Sequence, residues 1–268
     1  MPNHIMTLDF ETYSEVDIAK CGAYKYIEDD SFEPLLLAYS VDNGSVKQID
    51  FAQGETLSRD VSELLLSSDC IKQAYNANFE IIVLRKILNL SDADFQKWIW
   101  SWRDTMFHAL YCGLPRSLDD VGEAIGLPSD KKKLRVGKAL IQYFCKPCKP
   151  TLSNGGRTRN LPHHDPDKWE LFKEYNLQDV VTEMAIDEKL AEWQPPAWLY
   201  QQWCLDQIEQ ARGIYIDVPM VNGALKLMDT FDTAAMEEMR SLTGLENPNS
   251  GAQLLPWINN RLKDERVG

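Results

Sequence analysis

The chain opens on an apolar run, Ile5 to Phe10, that reads as a β-strand. Two further strand-like runs follow, Leu35 to Val41 and Val46 to Phe51, separated by the turn Asp42-Asn43-Gly44. This order predicts an opening β-meander. Beyond it the period of the apolar positions changes. Residues Leu57 to Leu66 recur at helical spacing, Ile71 to Tyr75 is strand-like, and Phe79 to Leu90 is helical again, so the meander gives way to alternating α and β. Helices are also predicted over Thr105 to Cys112, over Leu118 to Ile125, where Gly126-Leu127-Pro128 ends the pattern, and over Lys138 to Phe144. Cys145 to Pro166 is rich in proline, carries Gly155-Gly156 and has little apolar content, which predicts a long exposed loop. Asp167 to Glu192 then runs without Gly or Pro, and its apolar residues, among them Trp169, Phe172, Val180 and Leu190, predict one long helix packed on the sheet. Gln194-Pro195-Pro196 interrupts the chain. The predicted boundary lies there, between an α/β domain over 1–193 and a helical extension over 194–268, with helices at Ala197 to Gly213, Pro219 to Leu242 and Ala252 to Leu262.

Composition agrees with this division. At 268 residues and 44% hydrophobic content the chain can bury one full α/β core and leave a smaller helical unit. Its longest apolar runs fall far short of a bilayer span, so no membrane partner is expected. The amino terminus enters a strand without a basic and then apolar leader, and the six cysteines follow no disulfide framework; both point to the cytoplasm. A net charge of −13 excludes a protein that coats nucleic acid indiscriminately, because phosphate repels a uniformly acidic surface. The charge is unevenly spread, however. From Lys131 to Arg159 there are nine basic residues and no acidic one. Such a stretch is either a solvated loop or a flap that touches phosphates, and in the second case Lys146, Lys149, Arg157 and Arg159 are the candidates to do so.

Three short patterns carry candidate chemistry. Asp9 and Glu11 stand at i and i+2 on the first strand, so both carboxylates leave the same face of an otherwise apolar segment. Like charges side by side need a cation, and oxygen-only ligands suit Mg²⁺ or Mn²⁺. Asn76-Ala77-Asn78-Phe79-Glu80 brings a third acid to a strand-to-helix junction, where the ordinary reading makes Asn76 or Asn78 a helix cap and Glu80 a first-turn acid. Tyr175 and Asp179 lie at i and i+4 on one face of the long helix.

In this order and spacing the patterns resemble the three exonuclease motifs of the DEDD superfamily. Tyr175 marks the tyrosine subgroup, since a histidine-type member would carry His at position 174, which is Glu here. Asp217 after Arg212-Gly213-Ile214-Tyr215-Ile216, and the run Asn247-Pro248-Asn249-Ser250, resemble the start of the thumb in family-A DNA polymerases of phages and prophages. The resemblance implies a ribonuclease-H-like fold for the first domain and a truncated thumb after it. The implied activity is a 3′ to 5′ exonuclease, the proofreading module of such a polymerase, acting on single-stranded or frayed 3′ ends of DNA and releasing nucleoside monophosphates.

The resemblance also implies roles. Asp9 would bridge two Mg²⁺ or Mn²⁺ ions, Glu11 and Asp179 would complete the first site, Glu80 would hold the second through water, and Tyr175 would orient the attacking water. Thr12, Asn76 and Phe79 would touch the terminal nucleotides. Many family members have Asp where this chain has Glu80; if Glu80 does not reach, Asp104 in Arg103-Asp104-Thr105 is the second candidate. Two alternatives stay open. One is an RNA or general single-strand exonuclease of the same superfamily, because a carboxylate-held metal pair does not distinguish ribose from deoxyribose. The other is a binding module without catalysis, against which all four acids are present. The pair Cys145-Lys146-Pro147-Cys148 also suits zinc or redox chemistry, with His163-His164 nearby but no second pair at finger spacing.

Overall fold

The computed structural model describes residues 3–132 and 136–264. Strand β1 (His4–Tyr13) leads through helix α1 (Ile18–Glu28), broken at Gly22, to β2 (Glu33–Val41) and β3 (Lys47–Asp50). Next come α2 (Arg59–Leu66), β4 (Cys70–Ala74), α3 (Asn78–Ile87), α4 (Asp92–Trp98), β5 (Trp102–Asp104), α5 (Thr105–Tyr111), α6 (Leu118–Ala124), α7 (Gly137–Phe144) and α8 (Pro166–Leu190). Helices α9 (Ala197–Arg212), α10 (Val218–Thr243) and α11 (Gly251–Asp264) complete the chain.

The five strands form one sheet in the order β3-β2-β1-β4-β5. β1 and β2 pair antiparallel, as do β2 and β3, whereas β1–β4 and β4–β5 are parallel. A mixed sheet of this order between helices is the α/β, ribonuclease-H-like class expected from the sequence. The opening is not a plain meander, because α1 is inserted between β1 and β2. Its weakly amphipathic sequence and the break at Gly22 hid it from periodicity. The short elements α4 and β5 were likewise not anticipated. The turn between β2 and β3 lies where expected, with Asp42 and Asn43 both at φ 54° and Gly44 N bonded to Val41 O at 2.9 Å, but it opens a connection over 42–46 and not a two-residue hairpin.

Alternation along β1 separates the two sides of the sheet. Met6, Leu8 and Phe10 enter a core with Ile81, Leu84, Trp98 and Trp102, while Thr7, Asp9 and Glu11 turn the other way, toward α8. On that second side Phe144 of α7 and Trp169, Phe172 and Tyr175 of α8 pack with Leu35 and Leu36. Neighbouring strand residues ordinarily face opposite ways. Here a register shift between Glu11 and Thr12 skips Leu35 in the pairing, which lets both leucines join one cluster.

The chain divides into compact units over Met1–Arg212 and Gly213–Gly268. The predicted boundary at the two prolines falls earlier than this division. Helix α8 already ends at Leu190, before the prolines, and α9 beyond them returns to the first unit, where Trp203 and Cys204 are buried in its core. In the second unit α10 ends on Gly244 at φ 70°, a backbone conformation that glycine adopts without strain, and α11 carries Pro256 within it. Among the described residues, no helix is long and apolar enough to cross a membrane.

Candidate functional site

β1 outruns its parallel neighbour. The ladder with β4 covers His4 to Thr7, and β4 ends at Ala74, so the carboxyl-terminal half of β1 borders open space on that side. The chain leaves β4 through Asn76 at φ 64° and re-enters a helix at once, which directs the first turn of α3, with Glu80, into that space. Neither asparagine caps α3. Ala77 is its N-cap and makes no side-chain bond, while Asn78 donates to Gln210 Oε1 at 3.1 Å. The cap expected of Asn76 or Asn78 is absent; the backbone N–H of Asn76, at φ 64°, instead donates to Asp104 Oδ1, 3.0 Å away.

From the other side α8 presents one buried stripe: Trp169, Phe172, Tyr175, Asn176, Asp179, Glu183, Ile186 and Leu190. The middle of that stripe is polar. Oxygens of Asp9, Glu11 and Asp179 lie within 4.8 Å of one another, the one such group of potential metal ligands found among the described residues. Asp179 is 4% exposed and Glu11 8%, so water does little to screen their repulsion. Tyr175 is hydrogen-bonded to Asp179, and its phenol is held protonated by burial and by the charges of Asp179, Glu11 and Asp9.

Glu80 lies outside that group and is as buried as Asp179, at 5% exposure. It is buried, its Oε2 has no hydrogen-bond partner, and burial followed by the Asp9 charge raises its pKa well above the usual carboxylate range. A second buried acid, Glu183, shares this layer. It accepts from Thr105 Oγ1 at 2.7 Å and is shifted upward by burial more than that bond lowers it, with Asp9 adding to the rise. Glu183 was not singled out from the sequence. The signal was available, since Asp179 and Glu183 occupy the stripe defined by Trp169, Phe172, Ile186 and Leu190. Asp104, the reserve candidate for Glu80, has another task. Its Oδ1 accepts from the N–H groups of Asn76, Met106 and Phe107, capping α5.

A groove of about 430 Å³ opens beside Glu11, lined by Thr12, Ile18, Tyr26, Phe79, Cys145 and Lys146 among others. Thr12 Oγ1 is 3.1 Å from the Tyr26 hydroxyl, and the Tyr26 and Phe79 rings are 6.2 Å apart. Asn76 is exposed at the strand end. Cys145, buried at the end of α7, donates its S–H to Glu11 Oε2 at 3.6 Å. Its partner in the Cys-x-x-Cys pattern turns elsewhere: Cys148 Sγ donates to the Arg157 carbonyl at 3.4 Å. The His163 and His164 rings lie 4.2 Å apart, tilted by 47°, and His164 Nδ1 accepts from Leu161 N. The two sulfurs and the two imidazoles therefore do not converge.

The later part of the basic stretch, 148–159, is held by hydrogen bonds to itself and an ion pair to β2. Arg157 donates to Asn160 Oδ1 and the Asn154 carbonyl, and Cys148 N bonds Thr158 O at 2.7 Å. Arg159 pairs with Glu33 at 2.7 Å and lies 3.7 Å above the Tyr13 ring. Lys146 borders the groove and Lys149 is exposed. Lys133 and Arg135 lie outside the described residues.

A site of this kind fits divalent cations with oxygen ligands. It offers three converging carboxylates and a fourth with a buried and unsatisfied oxygen, a donor set made of hard oxygens alone.

No protein-family model matches the chain. It is 47% identical over 253 residues to a DNA polymerase of Bacillus phage SP02, an alignment that takes in 94% of this chain and 38% of that polymerase. The chain thus spans well under half the length of this relative. Among solved structures it resembles an RNase D of Trypanosoma brucei (17% identity, 76% of this chain and 64% of that one, TM-score 0.46). It also resembles the family B DNA polymerase of the archaeon Pyrobaculum calidifontis (17% identity, 71% of this chain and 25% of that one, TM-score 0.43). Likenesses of that order say nothing of what this chain acts on.

Proposed function

The chain is a homologue of a phage DNA polymerase, and on that premise we propose that it is the 3′ to 5′ exonuclease module of such an enzyme, hydrolysing the terminal phosphodiester of single-stranded or frayed DNA. The observation that carries this reading is the convergence of Asp9, Glu11 and Asp179 within 4.8 Å, backed by buried Glu80. Such a set of acids stays charged together only where cations compensate it; otherwise part of it takes up protons, the direction in which burial and Asp9 push Glu80.

Asp9, Glu11 and Asp179 would hold Mg²⁺ or Mn²⁺, with Glu80 contributing from behind. Bound cations would acidify the attacking water and offset charge on the attacking and leaving oxygens. The remaining work falls to the chain itself. The Tyr175 hydroxyl, kept neutral by its surroundings, is available as a donor and acceptor that orients water beside Asp179. The Phe79 and Tyr26 rings offer an apolar wall to a terminal base, and Lys146 a positive charge to the phosphate that follows. The rest of a polymerase is the expected covalent context, and a cytoplasmic setting belongs to the same reading.

The test is digestion of 5′-labelled single-stranded DNA and RNA with Mg²⁺, Mn²⁺ or chelator. A ladder shortening from the 3′ end, present with metal and absent with chelator, is expected on DNA. A ladder on RNA alone would replace the substrate. Activity that survives chelation, or parental activity of Asp9→Ala, would overturn the mechanism.

A further inference from the structure

Asp9, Ala38 and Gln48 stand in one cross-strand row: Asp9 pairs with Ala38 on β2, and Ala38 with Gln48 on β3. Directly paired residues project from the same face, so Asp9 and Gln48 both point toward α8 with only a methyl between them. Asn176 of α8, with no solvent exposure, joins the two. Its Nδ2 donates to Asp9 Oδ2 at 2.8 Å and to the Asp9 carbonyl at 3.1 Å, and its Oδ1 accepts from Gln48 Nε2 at 2.8 Å. Gln48 Nε2 also donates to the carbonyl of Lys173 at 3.0 Å.

The direction of this relay follows from its far end. A backbone carbonyl can only accept, so Gln48 must present its NH₂ to Lys173. The second hydrogen of that NH₂ then faces Asn176, which must answer with its oxygen, leaving its own NH₂ for Asp9. Both amides have each N–H used once, and neither can flip without setting two acceptors against each other.

We propose that Asn176 is a positioning residue for the Asp9 carboxylate, with Gln48 and the Lys173 carbonyl fixing the direction in which its amide points. The inference rests on the metal-dependent reading above. A terminal carboxylate torsion is soft, and Glu11 and Asp179 repel Asp9, so an untethered Asp9 would swing away from them. The twofold grip on its side chain and on its own carbonyl holds the carboxylate plane in place before any cation arrives. Partners of this kind, bonded to a ligand and not to the metal, typically change metal affinity by about 10- to 100-fold when removed.

The experiment is calorimetric titration of the full chain with Mn²⁺, alongside the Mn²⁺ dependence of the exonuclease rate, for the parent, Asp9→Ala, Asn176→Leu and Gln48→Met. The parent should bind and Asp9→Ala should not; equal binding by both, or by neither, refutes the metal-dependent reading itself. Asn176→Leu should raise the Mn²⁺ Kd by about 10- to 100-fold and regain much of its rate at saturating Mn²⁺. Gln48→Met should shift Kd the same way by less. A merely structural role would lower the melting temperature without moving Kd. A folded Asn176→Leu with the parental Kd overturns the inference. If that variant does not fold, a parental Kd in Gln48→Met, altered on the edge strand, overturns it instead.

Discussion

The Cδ2–Cε2–Cζ side of the Tyr175 ring sits against Gly137, so close that a Cβ there would come within 2.0 Å of Cε2 and 2.4 Å of Cζ. Gly137 is the first residue of α7 and Tyr175 is on α8, so the absence of one side chain sets where the phenol can sit beside Asp179.

Gly137→Ala should therefore act through Tyr175. At this first helical position alanine gains little over glycine, so the overlap with a buried ring should dominate and lower stability by about 1 to 3 kcal/mol. The exonuclease rate should fall to the level of Tyr175→Phe, on the order of tenfold to a thousandfold below the parent, in the range for a group that positions water. Single-turnover rates check this. A Gly137→Ala protein as fast as the parent would show that the ring can yield without loss.

Glu183 is a buried acid whose folded pKa is raised, so the folded state holds its proton to higher pH than the unfolded chain does. Its stabilising contribution is complete below the ordinary carboxylate range and is lost as pH rises through the folded value. Glu183→Gln keeps an acceptor for Thr105 and removes the charge. Without metal its melting temperature should exceed the parent's at pH 8 and match it near pH 4, and added Mn²⁺ should narrow the gap. Thermal melts at the two pH values with and without Mn²⁺ decide it; a gap independent of pH would count against a charge effect.

Lys72 is fully buried on the opposite face of the sheet from the acids, bonded to the Ser67 carbonyl and to Ser101 and placed 5.6 Å from the Trp98 ring centre. Burial lowers its pKa from 10.5 to about 8. Between these values the unfolded chain binds a proton that the folded one has released, so this group makes stability rise with pH across that window. The shift corresponds to roughly 3 kcal/mol of penalty below pH 8. In Lys72→Met that rise should vanish, and stability at pH 7 should stay level or increase, because the buried charge is gone. Urea melts from pH 7 to 10.5 measure it, and an unchanged slope would mean that Lys72 is not the source.

The basic loop should divide by what its side chains already hold. Lys146→Gln and Lys149→Gln should each flatten the salt dependence of single-stranded DNA binding by about 0.7 in logarithmic slope, the share of one neutralised phosphate, at nearly unchanged turnover on saturating DNA. Arg157 and Arg159, engaged with Asn160 and with Glu33 and Tyr13, should instead loosen the loop when replaced by Gln, with a lower melting temperature and little change in slope. Binding across a salt series in an Asp9→Ala background separates the two pairs.

The sequence by itself determined the period of nearly every long element and named the candidate acids that the fold brings together. An apolar run marked β1, helical spacing marked α8, and Asp9, Glu11, Glu80, Tyr175 and Asp179, each weak alone, stood out together through their resemblance to the three motifs of an exonuclease superfamily. What escaped it were properties that arise only when distant segments meet. Helix α1 is short and broken at Gly22, so it has no period to read. Helix α9 belongs to the first unit because of what Trp203 and Cys204 pack against, which no local pattern past two prolines announces. Asp104 and Arg159 look like free charges in the chain and become a cap and an ion pair in the fold. Asn176 looks like a spacer beside Tyr175, and it takes on meaning only because strand pairing brings Asp9, Ala38 and Gln48 into one row beneath it. Local propensity acts over a few residues, whereas burial, hydrogen-bond direction and carboxylate spacing are set by segments far apart in the chain. Those segments meet only in the folded state.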